Sequence, residues 1–272
     1  MERIQWDDLP GSLKEAISAR TGPIISGRAV SDGQNSPLAA VIETRDGKVF
    51  VKGLPSDHRQ ARTQAREAAA AALVSTISPA LLWHFDEAGW NVLGFEHIDG
   101  RAADYSPGSP DLELIIQLMD ALSRVEAPDG HGPVKYADDR WKSYVADPAD
   151  AQVLAGPALI HTDWMPDNVL IALGRAWLID WAWATLGVAW IDPACWLLRL
   201  MAHGHAPEQA ETLARRLPAY ANADPAHVDM FAAANVSMWH EINEQHNREN
   251  TAVWISTMAR TARKWAQHRG VL

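Results

Sequence analysis

One cysteine in 272 residues, Cys195, excludes an intramolecular disulfide and a cysteine-based zinc site, so a reducing, cytoplasmic setting is expected. It lies in the apolar run Ala194-Cys195-Trp196-Leu197-Leu198, where a thiol packs as a small hydrophobe rather than acting as a nucleophile. No apolar stretch approaches the roughly 18 residues of a membrane span, and the polar start has no signal-peptide core, so no membrane partner is expected. Positive charge is also short. The formal net charge of -10 disfavours nonspecific binding to nucleic acid, while remaining compatible with a cationic ligand. Histidine patterns for metal are wanting: His203 and His205 have no third ligand nearby, and His240 is followed by His246, too far along to share a helix face. There is no internal repeat and no low-complexity tract.

What is present is ordinary globular composition, 47% hydrophobic and 21% charged, over a length that suits two modest domains or one two-lobed unit. Tryptophan is abundant, at 13 residues; most fill core, and a few are candidates to line a pocket for a flat or sugar-like ligand.

Residues 158–193 carry the densest pattern. Two apolar runs, 169–173 and 176–179, flank Gly174-Arg175, which signals a short β-hairpin with glycine at the positive-φ turn position. Folding about Gly174 sets position 168 opposite position 180, and directly opposed residues in an antiparallel pair lie about 5 Å apart. Asn168 and Asp180 then reach one cation, while Asp163 stays in the loop that feeds the hairpin. Phosphoryl transfer needs this division of labour. A hard cation such as Mg²⁺ takes one or two side-chain oxygens and completes its shell with phosphate and water. A further carboxylate, not spent on the metal, must face the attacking hydroxyl.

The spacing His161-x-Asp163-x-x-x-x-Asn168, the segment Leu178-Ile179-Asp180-Trp181 and the triplet Ile191-Asp192-Pro193 together resemble the aminoglycoside phosphotransferase family, small-molecule kinases related to the eukaryotic protein kinases. The resemblance implies an α+β, two-lobed protein-kinase-like fold. Residues 1–98 would form an N-lobe with a small antiparallel sheet and one main helix. Residues 99–272 would form a larger, mainly helical C-lobe carrying the catalytic hairpin. It also implies ATP (with GTP not excluded) and Mg²⁺ as cofactors, Asp163 as the base, Asn168 and Asp180 as metal ligands, and His161 and Asp192 as supports of the catalytic loop.

Leu9, Leu13 and Ile17 mark an amphipathic opening helix over 8–20. The segment after it turns through Ser31 and Gly33, where a loop over the ATP phosphates would fall; it has no G-x-G-x-x-G, and a plain surface turn has the same composition. Strands at 38–43 and 48–52 meet around Asp46-Gly47. Phe50 and Lys52 share a face of the second strand, by period two. In the family such a lysine contacts the α- and β-phosphates, Phe50 would roof the adenine, and Glu67 lies near the spacing of the lysine's paired glutamate. Ser56 or Asp57 can cap the helix that carries Glu67, running to about Val74. Strands at 80–85 and 90–98 lead to a hinge at which the Glu96 carbonyl and the Ile98 amide would read the adenine edge. Ser109-Pro110 opens an apolar helix, and helices at 194–202, 206–216, 226–241 and 251–268 follow.

Three departures narrow the acceptor. Position 162 is threonine, where the family often has glycine and protein kinases have arginine. No Phe-Gly follows Asp180, and no A-P-E signature follows within the short run to Asp192. That leaves no room for a peptide-binding activation segment, so a small-molecule hydroxyl is the expected acceptor. Trp239, Glu241 and Glu244 could offer it a ring and carboxylates, although a solvated helix face accounts for the two glutamates equally well. An aminoglycoside-like antibiotic or other natural product leads. Alternatives are a nucleotide-binding pseudokinase or scaffold, and a kinase of peptides or of primary metabolites (sugar, choline, homoserine). Monomer and homodimer both stay open.

Overall fold

A computed structural model describes residues 3–30, 36–128, 132–245 and 249–272. Ser31 and Gly33, the expected loop tip, lie outside the described residues. Helix α1 (Gly11–Thr21) precedes strands β1 (Ile24–Ala29), β2 (Leu38–Thr44) and β3 (Gly47–Pro55), then helix α2 (Ala61–Ala71) and strands β4 (Leu81–Glu87) and β5 (Trp90–Glu96). The five strands form one antiparallel sheet in the order β1-β2-β3-β5-β4. Strand β3 is central, pairing Lys52 with Ala39 on one side and Leu93 on the other. Leu13 and Ile17 of α1 are fully buried with Trp6, Leu38, Ile42 and Val51, so the helix packs one apolar face against the sheet.

The remainder is largely helical. Strand β6 (Arg101–Ala102), helix α3 (Asp111–Leu122), strand β7 (Lys135–Tyr136), helix α4 (Ala137–Trp141), and strands β8 (Ala158–Ile160), β9 (Val169–Ala172), β10 (Arg175–Leu178) and β11 (Thr185–Gly187) come first. Helices α5 (Ile191–Ala202), α6 (Pro207–Ala214), α7 (Pro218–Ala221), α8 (Pro225–Gln245) and α9 (Glu249–His268) complete the chain. Two three-stranded sheets, β10-β9-β6 and β7-β11-β8, sit among them. Helix α5 is buried along nearly its whole length, which makes it the axis of the larger core. Among the described residues no helix is long and apolar enough to cross a membrane.

Two expectations about local structure need correction. Helix α2 begins at Ala61, not at Ser56 or Asp57. Ser56 is already used: its N–H donates to the Gly89 carbonyl and its hydroxyl to Asp86, which ties it to the β4–β5 turn and leaves no cap for α2. The β9–β10 hairpin is also offset by one residue. Arg175 pairs with Ala172 and Leu178 with Val169, so the turn is the two-residue Leu173-Gly174 and Asn168 faces Ile179, whose N–H donates to the Asn168 carbonyl at 2.9 Å. A one-residue slip normally sends every side chain to the opposite face. Here Asp180 lies past the end of the strand in a left-handed conformation (φ 62°, ψ 69°), and that twist returns its carboxylate to the cleft.

Leu173 and Gly174 both have positive φ, 53° and 73°, as the tightest hairpin turn requires. Leucine suits that backbone poorly, and its side chain is 92% exposed, so it gains no packing in return. Leu173→Asn should therefore stabilise the chain by about 0.5–1 kcal/mol, seen as a raised thermal midpoint with unchanged ligand binding.

Candidate active site

The cleft between the five-stranded sheet and the helical part has a volume of about 330 Å³. Val30, Ala39, Phe50 and Phe95 line it from the sheet, Leu170 and Ile179 from the hairpin. Phe50 and Lys52 enter together because they are two apart on β3, while Val51 between them is fully buried on the opposite face. Glu96 and Ile98 lie at the cleft edge; Glu96 N–H donates to the Ala80 carbonyl, and no bond from the Ile98 N–H exists among the described residues. An apolar slot with a free amide at its rim suits a flat heterocycle with one acceptor on its edge.

At the inner end Lys52 joins the two halves. Its ammonium lies 2.9 Å from Glu67 on α2 and 2.7 Å from Asp180 beyond β10. Burial alone would lower its pKa, but the Asp180 and Glu67 charges override that and raise it above the ordinary lysine value. Burial likewise opposes ionisation of Asp180, yet the adjacent Lys52 holds that carboxyl below its ordinary range. For Glu67 burial wins, and its pKa is raised despite Lys52.

The loop expected to be catalytic follows β8. Asp192, in the first turn of α5, accepts the N–H groups of His161 (2.9 Å) and Thr162 (2.8 Å). Burial raises the Asp192 pKa, and the two amides work against that shift. Thr162 is held at φ 67°, a region that a β-branched residue enters only under constraint. Its hydroxyl accepts from Arg140 at 2.7 Å, a second clamp besides Asp192. His161 accepts the Asp163 N–H at Nδ1 and therefore donates from Nε2 to the Ile179 carbonyl, at 2.9 Å. It couples the loop to the hairpin and has Trp181 against its ring edge, 4.8 Å away.

Asp163 has both carboxylate oxygens engaged. Asn168 Nδ2 donates to Oδ2 (3.2 Å) and to the Asp163 carbonyl (2.9 Å), while Arg199 Nη2 donates to Oδ1 (3.2 Å). With its amide nitrogen committed there, Asn168 keeps its side-chain oxygen for the cleft that Asp180 also lines. An amide oxygen and an ionised carboxylate are hard donors that suit Mg²⁺ and leave most of its shell to phosphate and water.

Arg199 escaped the sequence reading. It is 6% exposed on α5, with its guanidinium 4.8 Å from the Trp254 ring and 5.5 Å from the Trp239 ring, and its Nη1 has no hydrogen-bond partner among the described residues. The available signal was a single charge in the otherwise apolar stretch 193–202, since a charge in a buried helix must find a partner. Trp254 thus supports the residue behind Asp163. Of the expected acceptor residues, Trp239 adjoins Arg199, Glu241 is exposed beside Tyr144, and Glu244 faces solvent with His240 at 3.4 Å. The helix turns Glu244 away from Trp239, so the three do not converge. His203 and His205 bond the carbonyls of Arg199 and Tyr105, and among the described residues no group of His, Cys, Asp and Glu is arranged to hold a metal by itself.

Residues 22–231 match the model of the phosphotransferase enzyme family. No curated protein matches the sequence. Similar solved structures include the choline kinase LicA from Streptococcus pneumoniae, with a TM-score of 0.65 at 14% identity, covering 94% of this chain and 98% of that one. LicA in complex with AMP gives a TM-score of 0.63 at 13% identity, covering 94% of this chain and 97% of that one. A thermostable mutant of aminoglycoside phosphotransferase APH(4)-Ia, in ternary complex with AMP-PNP and hygromycin B, gives 0.59 at 17% identity, covering 94% of this chain and 99% of that one. At these identities the likeness establishes the protein-kinase-like fold alone.

The Asp192 clamp makes a prediction. Asp192→Ala leaves two buried N–H groups unpaired and removes one of the two clamps on Thr162, so it should cost about 2–5 kcal/mol in chemical denaturation. Asp192→Asn, which keeps one acceptor oxygen, should recover part of that loss.

Proposed function

The chain belongs to the phosphotransferase enzyme family, and from that premise we propose that it moves the γ-phosphate of ATP to a hydroxyl of a small molecule, with residue 98 marking the boundary between its two lobes. One observation carries this reading: a buried lysine on the sheet, paired with Glu67, reaches Asp180 across the cleft, while Asp163 and Asn168 are bonded to each other on the adjoining loop. Nucleotide chemistry needs those groups on opposite sides of one phosphate chain.

The adenine occupies the slot between Phe50 and the Leu170–Ile179 pair, against the edge formed by Glu96 and Ile98. Lys52, held by Glu67, contacts the α- and β-phosphates. Asn168 and Asp180 are the residues that would hold Mg²⁺, which when bound neutralises charge on the phosphate oxygens. Asp163 accepts the proton of the acceptor hydroxyl as that oxygen attacks the γ-phosphorus and the bond to the β-bridging oxygen breaks, releasing ADP. The Arg199 guanidinium, bonded to Oδ1, and Asn168, bonded to Oδ2, hold the carboxylate in place for this task. His161 and Asp192 position the loop without touching the reacting atoms. The acceptor enters from the side of Asp163 away from the nucleotide slot.

Asp163→Ala should abolish acceptor-dependent ATP consumption, a drop of at least about a hundredfold in kcat, while MgATP affinity changes less than about threefold. Coupled ADP release across aminoglycosides, peptide antibiotics, sugars and choline, paired with calorimetric titration of MgATP, checks both halves. Full turnover in the variant would remove Asp163 from its role. Tight nucleotide binding indifferent to Mg²⁺, with no transfer to any acceptor, would instead favour a scaffold.

A further inference from the structure

The protein has ten more acidic than basic side chains, and most of its cations in well-defined contacts have an acid beside them: Arg101 with Asp111, Arg216 with Glu113, Arg269 with Glu211 and Asp229. Three cations next to the catalytic loop do not. Lys135 of β7 and Arg140 of α4 face the exposed ring of Trp183, and Arg66 of α2 bonds the neighbouring Ala182 carbonyl; Arg140 feels the Asp163 and Asp192 charges at longer range, but none of the three is ion-paired with a carboxylate among the described residues. The Lys135 ammonium sits 3.9 Å from the Trp183 ring centre and donates no hydrogen bond; the Arg140 guanidinium is 5.4 Å from the same centre.

The fold places these groups firmly. Strand β7 runs parallel to β11 with Lys135 opposite Thr185, and Arg140 Nη1 donates to the hydroxyls of Thr185 (2.6 Å) and Thr162 (2.7 Å). Arg66, one residue before Glu67, donates from Nε to the Pro133 carbonyl (3.0 Å) and from Nη1 to the Ala182 carbonyl (2.6 Å). A guanidinium has five N–H donors. Arg140 uses one nitrogen and Arg66 two, so each retains donors, and Lys135 retains all three. The cost of the arrangement is visible in Lys135, whose pKa burial and the neighbouring Arg140 and Arg66 push down to about 8. Like charges brought together and partly stripped of water repel one another unless an anion joins them.

We propose that Arg66, Lys135 and Arg140, with Trp183 as a flat wall, form a binding site for an oxyanion group (phosphate, sulfate or carboxylate) carried by the acceptor. The site adjoins Thr162, the neighbour of Asp163, so an acceptor anchored there by its charge presents a hydroxyl to the carboxylate. The inference rests on the phosphotransferase reading for the acceptor's identity, but not for the existence of the anion site. It places the acceptor among anionic hydroxyl compounds and sets the cationic class second.

Calorimetric titration of the full chain with inorganic phosphate in a low-salt buffer tests the site directly. The Lys135 ammonium makes no hydrogen bond or ion pair among the described residues, so Lys135→Met, which keeps the strand pairing, should fold normally and bind phosphate at least tenfold more weakly. Arg66→Gln should weaken it similarly, and Arg66→Lys, which keeps the charge, should recover most of the affinity. In coupled ADP release with matched hydroxyl compounds, phosphate- or carboxylate-bearing acceptors should be turned over, with KM at least tenfold higher in Lys135→Met and the KM for MgATP unchanged. Equal phosphate affinity in all variants would overturn the site, as would turnover confined to cationic acceptors. A parallel rise in the MgATP KM would also overturn it, by assigning the cations to the nucleotide's own phosphates. Cluster-dependent phosphate binding with no phosphoryl transfer to any acceptor would overturn the acceptor's place in the proposal and the phosphotransferase reading together, leaving only a general anion site.

Discussion

The architecture depends on one buried cation. Lys52 is planted on the central strand of the sheet, and its ammonium is shared between Glu67 on the sheet's own helix and Asp180 on the hairpin of the other half. Removing one member of a buried ion pair costs about 3–5 kcal/mol, because the remaining charge is stranded in a medium that cannot solvate it. Two carboxylates facing each other without Lys52 would be worse. The sheet, α2 and the hairpin are therefore held to a single relative position, and that position defines the depth of the cleft.

The second constraint is backbone strain concentrated in the catalytic segment. Thr162 and Asp180 are both left-handed, neither is glycine, and each bears on the orientation of a carboxylate. Such conformations cost on the order of 1–3 kcal/mol each and persist only where surrounding contacts over-determine them. Here the contacts are specific. Asp192 takes the amides of His161 and Thr162, Arg140 takes the Thr162 hydroxyl, and His161 ties the loop to the hairpin through Ile179. A threonine at this corner needs these clamps, and its hydroxyl in exchange fixes Arg140.

Electrostatics divides the site in two. Toward the apolar slot the acids Glu67 and Asp180 share the Lys52 ammonium. Around Asp163 the surplus is positive, with Arg199 behind the carboxylate and Arg140, Lys135 and Arg66 to one side. The overall acidity of the chain thus says little about its ligand, because local potential follows the placement of a few groups and screening hides charges beyond about 10 Å.

Much of this was legible in the residues. The spacing from His161 to Asn168, the apolar arms around Gly174 and the two-residue step from Phe50 to Lys52 each follow from local periodicity, and local periodicity survives folding. Resemblance located Glu67, and packing then had to bring it 15 positions back to Lys52. What the sequence could not reveal are relations made by distant contacts. The hairpin register was set by which residue entered the Leu173-Gly174 turn. The start of α2 was set by Ser56 bonding Asp86 and Gly89, 30 and 33 residues ahead. Arg199 behind Asp163, and the gathering of Arg66, Lys135 and Arg140, join elements with no common motif. By itself the sequence determined the set of chemical groups and their order on short segments. Only the tertiary structure decided which charges meet, because a charge pairs or remains alone according to its distance from others in space, and chain order does not encode that distance.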